Sequence, residues 1–108
     1  MIYELRVYEA VPGKLAALSV RFENHVAGLF VKHGMRVVGF WTTVVGEGSN
    51  EFTYLLAFEN LADRETKWAA FQVDPEWHAA RDESEKNGPL VARIRNQLLK
   101  PTAYSPRA

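Results

Sequence analysis

The fold is decided by residues 36–59, which read RVVGFWTTVVGEGSNEFTYLLAFE. Residues 36–46 are rich in valine, threonine and aromatic residues, and residues 51–59 have a similar composition, which is typical of two β-strands. Between them, residues 46–50 contain two glycines and have a length that is common in hairpin loops. The stretch therefore predicts an antiparallel β-hairpin in the middle of the chain.

The chain before the hairpin predicts a strand followed by a helix. The side chains of residues 2–10 alternate between the two sides of a predicted strand. One side carries Tyr3, Leu5 and Val7, and the other carries Glu4, Arg6 and Tyr8. Pro12 suits the first turn of a helix, apolar residues recur at helical spacing from Leu15, and Gly34 follows a basic last turn. We expect one helix over about residues 12–33.

The chain after the hairpin predicts two helical segments and a last strand. Asn60 is placed to cap the first of these helices, and Asp74, which is followed by a proline, is placed to cap the second. Residues 91–100 suit either a helix or a strand. A strand is favoured because it completes the sheet and because Pro101 ends it. The predicted order is therefore β-α-β-β-α-β.

This order predicts one α+β domain over residues 1–108, with ferredoxin-like βαββαβ topology and both helices on one face of a four-stranded antiparallel sheet. In either register the other face carries large apolar side chains, drawn from Phe40, Trp41, Tyr54 and Leu55. Such a face is too apolar to remain in water. We expect a second copy of the chain to cover it across a two-fold axis, which gives a homodimer with a half-polar cavity between two sheets.

The composition excludes several classes of protein. Thirteen basic and thirteen acidic residues give a net charge of zero, which argues against a nucleic-acid partner or an anionic membrane surface. The chain has no cysteine, which excludes disulfides, thiolate metal sites, iron–sulfur centres and cysteine nucleophiles. The histidines lack metal-ligand spacing and no glycine-rich phosphate loop is present, so we expect neither a metal nor a nucleotide cofactor. The charged N-terminus and the absence of a long apolar run predict a cytoplasmic protein without a membrane span.

Several motifs resemble the NIPSNAP family, in order and at similar spacing over essentially the whole chain. They are Tyr3-Glu4-Leu5-Arg6, Pro12-Gly13-Lys14, Gly39-Phe40-Trp41, Leu61-Ala62-Asp63-Arg64, Asp74-Pro75-Glu76-Trp77, Leu98-Leu99-Lys100-Pro101-Thr102 and Ser105-Pro106. The resemblance implies the dimeric α/β-barrel superfamily, whose members pair sheet to sheet around a pocket. That superfamily includes cofactor-free monooxygenases, muconolactone-type isomerases, polyketide cyclases and haem-degrading enzymes. The resemblance assigns no catalytic residue to this chain.

Three residues are candidate catalytic groups in the expected cavity. Arg6 and Tyr8 would supply a cation and a phenol that can hold an enolate, a phenolate or a carboxylate. The structural alternative is that Arg6 forms an ion pair with Glu4 or another carboxylate and only satisfies a buried charge. His25 flanks the apolar stripe of the first helix and could act as a general base or a haem ligand. Its structural alternative is a hydrogen-bonded residue at the boundary of the core.

Three aromatic residues are candidate ligand contacts. Trp41 and Tyr54 could stack on a flat aromatic ligand, or could belong to the core or the dimer interface. Trp77 could pack its helix against the domain or lie at the mouth of a pocket. The resulting hypothesis is a protein that binds a small apolar or aromatic molecule, as a cofactor-independent monooxygenase, isomerase or cyclase. The alternative is a non-catalytic binding or interaction module whose barrel core is filled.

Overall fold

The structure is a computed structural model that describes residues 1–106. Its strands are β1 (Ile2–Ala10), β2 (Arg36–Thr42), β3 (Glu51–Phe58) and β4 (Val91–Leu99). Its helices are α1 (Leu15–Arg21), α2 (Ala27–Lys32), α3 (Leu61–Gln72) and α4 (Pro75–Ser84). A turn of π-helix, Phe22–Val26, joins α1 to α2 without a break and is called the π-turn below. Within residues 1–106, no helix is both long and apolar enough to cross a membrane.

The four strands form one antiparallel sheet in the order β2-β3-β1-β4. The helices pack on one face of this sheet, around a core that includes Leu18, Phe22, Phe30, Tyr54 and Leu56. The predicted α+β class and the ferredoxin-like βαββαβ topology are confirmed. The ambiguous last segment is a strand, as expected, and lies at an edge of the sheet.

The first helix begins later than the sequence predicts. Pro12 and Gly13 lie in a turn that is closed by the Lys14 N–H, which donates to the Val11 carbonyl oxygen at 2.9 Å. Gly13 has a φ of +81°, which the third position of a type II turn requires, and proline is common at the second position. Pro12 therefore directs the chain from β1 into the helix, which begins at Leu15.

The π-turn divides the helix that was expected to be continuous. The Ala27 N–H donates to the carbonyl oxygen of Phe22, five residues earlier, so the turn holds one residue more than an α-helical turn. Phe22 and Val26 are buried on the sheet side of this turn, whereas His25 is exposed. Single π-helical turns inside α-helices are frequent at functional sites, and this one lies against the cavity described below.

The two predicted helix caps are present and one of them also joins two helices. The Asn60 Oδ1 accepts a hydrogen bond from the Asp63 N–H at 2.8 Å, and the Asp74 Oδ1 accepts from the Glu76 N–H at 2.9 Å. The Lys32 Nζ lies 2.8 Å from the other carboxylate oxygen of Asp74. The N-terminus of α4 is therefore tied to the C-terminal end of α2.

A cavity between two sheets would require Arg6 and Tyr8 on the uncovered side of β1, and the structure shows the opposite orientation. Glu4 accepts a hydrogen bond from Trp68 on α3, and the Tyr8 ring lies 5.6 Å from that of Phe22, so Glu4, Arg6 and Tyr8 point towards the helices. The uncovered side, called the open face below, carries Tyr3, Leu5, Val7, Trp41, Leu55 and Leu99. The alternation of polar and apolar residues along β1 did not show which side faces the helices, because both sides carry apolar side chains. In addition, the Glu4 carboxylate is buried with hydrogen-bond partners instead of facing solvent.

Candidate functional site

A cavity of about 170 Å³ lies between the helices and the centre of the sheet. Its walls are mainly aromatic and apolar, and they are formed by Tyr8, Phe22, Val26, Phe30, Tyr54, Trp68, Phe71, Trp77 and Ile94. The polar lining residues are Arg6, Arg21 and Gln72. An apolar cavity of about 150 Å³ can hold benzene. The cavity therefore has room for about one aromatic ring.

A pair of phenols forms the polar centre of the cavity wall. The hydroxyl oxygens of Tyr8 on β1 and Tyr54 on β3 lie 2.9 Å apart, and the Arg6 Nη2 donates to the Tyr8 hydroxyl at 3.2 Å. Burial raises the pKa of Tyr54 well above its ordinary value. Tyr54 is therefore a neutral hydroxyl at physiological pH and can donate a hydrogen bond to Tyr8 or to a ligand.

Arg6 is held in place by Glu4, whose carboxylate is fully buried. Five hydrogen bonds reach this carboxylate: two from Arg64 at 3.0 Å, one from Trp68 at 2.8 Å, one from Asn96 at 3.0 Å and one from Arg6 at 2.9 Å. Burial on its own raises the pKa of Glu4, but these donors outweigh it and lower the pKa to about 2. Glu4 is therefore an anion throughout the physiological range.

Both interpretations of Arg6 are realised together, because it pairs with Glu4 and also lines the cavity. Its guanidinium carbon lies 4.6 Å from the centre of the Trp68 ring, a cation–π contact. Burial lowers the pKa of Arg6, but Tyr54, Tyr8 and Glu4 more than offset this and leave it above its ordinary value. Arg6 is therefore a fixed cation beside the two phenols.

Arg21 is a second cation on the cavity wall and was not among the candidate site residues predicted from the sequence. Its side chain is only 5% exposed, and its Nη1 donates to Ser84 at 3.3 Å and to Glu85 at 3.0 Å. Its guanidinium carbon lies 5.3 Å from the centre of the Trp77 ring. Its burial could have been predicted from its position in the sequence. Arg21 follows Leu18 by three residues and precedes Phe22, which places it on the apolar stripe of α1.

The structure brings together four of the six candidate site residues. Arg6, Tyr8, Tyr54 and Trp77 all line the cavity, which lies beneath the helices and not on the open face where Arg6 and Tyr8 were expected. His25 is exposed on the π-turn and does not line the cavity. Trp41 is 49% exposed on the open face, on the other side of the sheet.

The other two histidines have structural partners. The Nε2 atom of His33 lies 2.7 Å from a carboxylate oxygen of Asp74, and that of His78 lies 2.6 Å from the carbonyl oxygen of Gln72. In residues 1–106, no group of three or more histidine, aspartate or glutamate side chains is placed to hold a metal ion. The described cavity wall instead carries guanidinium, phenol and carboxamide groups, from the arginines, the tyrosines and Gln72.

We expect acid to destabilise the protein over the range in which Glu4 takes up a proton. The pKa of Glu4 is about 2 in the folded protein, against 4.5 in the unfolded chain, so its stabilisation is complete above about pH 4.5 and is lost as the pH falls towards 2. The difference corresponds to about 3 kcal/mol. Asp74, whose pKa is lowered mainly by its hydrogen bond from Lys32, acts in the same direction.

Urea unfolding at neutral pH and at about pH 3 measures this loss of stability. The variant Glu4→Gln should show a shallower dependence than the wild type, because it removes one of the carboxylates whose pKa is lowered in the folded protein. Equal dependence in the two proteins would contradict the assignment to Glu4.

Comparison with known proteins places the fold among solved structures. A family model described as NIPSNAP matches residues 3–106, and no curated protein matches the sequence. A NIPSNAP-like domain protein from Burkholderia xenovorans is 27% identical, with a TM-score of 0.86 over 98% of this chain and 89% of that chain. A NIPSNAP family protein of unknown function from Agrobacterium tumefaciens is also 27% identical, with a TM-score of 0.85 over 98% and 92%.

A more distant structure shares the fold alone. It is a protein from Nitrosomonas europaea to which antibiotic biosynthesis monooxygenase activity is ascribed. It is 10% identical to this chain, with a TM-score of 0.65 over 96% of this chain and 100% of that one.

Proposed function

This chain belongs to the NIPSNAP family, and on that premise we propose that its domain binds a small molecule with one aromatic or apolar ring in the cavity beneath the helices. One observation carries the proposal: the hydrogen-bonded hydroxyls of Tyr8 and Tyr54, beside Arg6, lie on the wall of a cavity that has room for one ring. Pockets of this kind, apolar with a few convergent polar groups, are typical of small-molecule sites.

The polar groups are suited to an oxygen atom on the ligand. The Tyr54 hydroxyl is a neutral donor, and Arg6 supplies a positive charge that Glu4 and Trp68 hold in position. Such donors favour a ligand oxygen that carries partial or full negative charge, such as that of a phenol or an enol. The aromatic walls supply contacts for the ring that bears this oxygen.

We expect Tyr8→Phe and Tyr54→Phe each to weaken the binding of para-fluorophenol by about tenfold, since each variant removes a hydroxyl and keeps the ring. Fluorobenzene has no hydroxyl, so its affinity should change little. Fluorine NMR titration measures both ligands. Tyr104→Phe is the matched control, because Tyr104 is 87% exposed and does not line the cavity. If neither compound binds the wild type, the proposal fails.

A catalytic role is the second candidate, and the anion-stabilising corner formed by Arg6 and the two phenols favours it. Cofactor-independent monooxygenases, isomerases and cyclases pass through enolates or phenolates, which such a corner would stabilise. The described lining contains no histidine and no carboxylate, so the base would have to be a phenol or a group of the ligand. Binding without catalysis is therefore our first proposal. If the wild type converts an enolisable aromatic compound and Arg6→Met abolishes this turnover, catalysis would become the first proposal.

We also propose that two copies pair through the open face. Trp41 is 49% exposed and Leu99 41% exposed on this face, and Tyr3, Leu5, Val7 and Leu55 lie between them. An apolar surface of this kind is typical of an interface, and a second copy can cover it by two-fold symmetry.

We also propose that the protein is located in the cytoplasm, because a chain without cysteine suits a reducing compartment.

A further inference from the structure

We infer that the ligand of this cavity is an aromatic acid whose carboxylate binds Arg21, while its ring hydroxyl or enol oxygen binds the phenol pair. This inference rests on the proposed binding of a one-ring molecule in the cavity, and adds to it the charge of the ligand and a second contact. Arg21 lies on the wall of the same cavity as Arg6.

The charges on the cavity wall favour an anion. Of the described residues, Arg6 and Arg21 are the two charged ones that line it, and none of those that line it is acidic. The anion that pairs with Arg6 is Glu4, which also accepts two hydrogen bonds from Arg64. The partner of Arg21 is Glu85, whose side chain is 37% exposed, so water screens this pair. A ligand carboxylate would add the negative charge that the cavity itself lacks.

Unused hydrogen-bonding capacity points in the same direction. Among residues 1–106, the Nε atoms of both Arg6 and Arg21 are buried without a hydrogen-bond partner. Buried guanidinium donors are rarely left unpaired in native proteins. A carboxylate can accept two parallel hydrogen bonds from one edge of a guanidinium group, so rotation of the Arg21 guanidinium group towards the cavity would let a ligand carboxylate accept from the Nε that has no partner in the chain.

The aromatic residues separate the two cations. Arg6 stacks on Trp68 and Arg21 stacks on Trp77. Phe71 lies between the two indoles, with its ring centre 5.4 Å from that of Trp68 and 5.3 Å from that of Trp77. A ligand ring that lies along this aromatic wall would therefore have one end near Arg6 and the other near Arg21, and each end could carry an oxygen that binds there. This arrangement favours a para-substituted hydroxy acid over a ligand with a single polar group.

Calorimetric titration of para-hydroxybenzoate against para-hydroxybenzamide tests the inference, because the two probes have the same ring and hydroxyl and differ in charge. We expect the acid to bind the wild type at least about tenfold more tightly than the amide, as charge-assisted hydrogen bonds are roughly twice as strong as neutral ones. Arg21→Gln should abolish this preference and leave amide binding nearly unchanged. Arg81→Gln, at a partly exposed residue of α4 outside the cavity wall, should behave as wild type.

Glu85→Gln is a second variant, which keeps the test decisive if Arg21→Gln does not fold. It removes the partner of Arg21 without changing the cavity wall, so it should increase the preference for the acid by several fold. Equal binding of acid and amide to the wild type, or an unchanged preference in Glu85→Gln, would overturn the inference while leaving the proposed function in place. If neither probe binds, the proposed function fails with it.

Discussion

Replacement of Glu4 by glutamine is expected to lower the free energy of unfolding by about 3–5 kcal/mol, because breaking a buried ion pair leaves its partners uncompensated. The side chains of Arg6 and Arg64 are only 15% and 18% exposed, so water would screen their charges poorly. Glutamine also turns an NH₂ group towards donors, where a carboxylate oxygen accepted their hydrogen bonds. Chemical denaturation at neutral pH measures the change.

Glu65→Gln provides the matched control for this variant. Glu65 also pairs with Arg64, but its side chain is 71% exposed, and exposed ion pairs contribute less than about 1 kcal/mol. A loss of less than about 1 kcal/mol in Glu4→Gln would mean that the buried network does not hold β1, α3 and β4 together in the way its hydrogen bonds suggest.

Replacement of Leu5 by lysine is expected to convert the proposed homodimer into a monomer at micromolar concentration. Leu5 lies on the open face of β1, between Leu55 of β3 and Gln97 of β4, and is therefore central in the surface that a second copy would cover. Burial of an unpaired ammonium group costs several kcal/mol, and each copy in the dimer would contribute one. Light scattering after size-exclusion chromatography measures the mass directly.

Val73→Lys makes the same kind of substitution outside the open face. Val73 is 72% exposed and follows the last turn of α3, so this variant should keep the mass of the wild type. A wild-type protein that is monomeric at micromolar concentration, or a Leu5→Lys variant that remains dimeric, would contradict the proposed pairing.

The two proposed surfaces lie on opposite sides of the sheet, which gives the dimer experiment a second use. The cavity lies on the helix side of the sheet, whereas Leu5 points to the other side. The Leu5→Lys monomer should therefore bind para-fluorophenol as the wild type does. Loss of binding in a folded monomer would indicate that pairing shapes the cavity through the shared strands.

Local sequence features were sufficient to predict the order of the elements. The caps of α3 and α4 could be predicted because Asn60 and Asp74 bond to backbone N–H groups only three and two residues away. The hairpin followed from side-chain type and spacing, whereas the last strand was favoured because it completes the sheet and because Pro101 ends it. At Pro12 a local rule was misleading, because proline suits the first turn of a helix and the second position of a type II turn equally well.

The interior of the site depended on contacts between distant residues. The side of the sheet on which Glu4 lies could not be predicted, because its donors Arg64, Trp68 and Asn96 lie 60, 64 and 92 residues away. The exposure of His25 and the burial of Arg21 likewise depend on the packing of the π-turn and α1 against the rest of the domain.

The sequence alone thus determined the βαββαβ order, the family and the residue types that were available for a site. Tertiary structure decided which face of β1 is covered and which polar side chains meet in the cavity. The physical reason is that a charged group can be buried only where hydrogen-bond partners surround it, and in this protein those partners come from segments far apart in the chain.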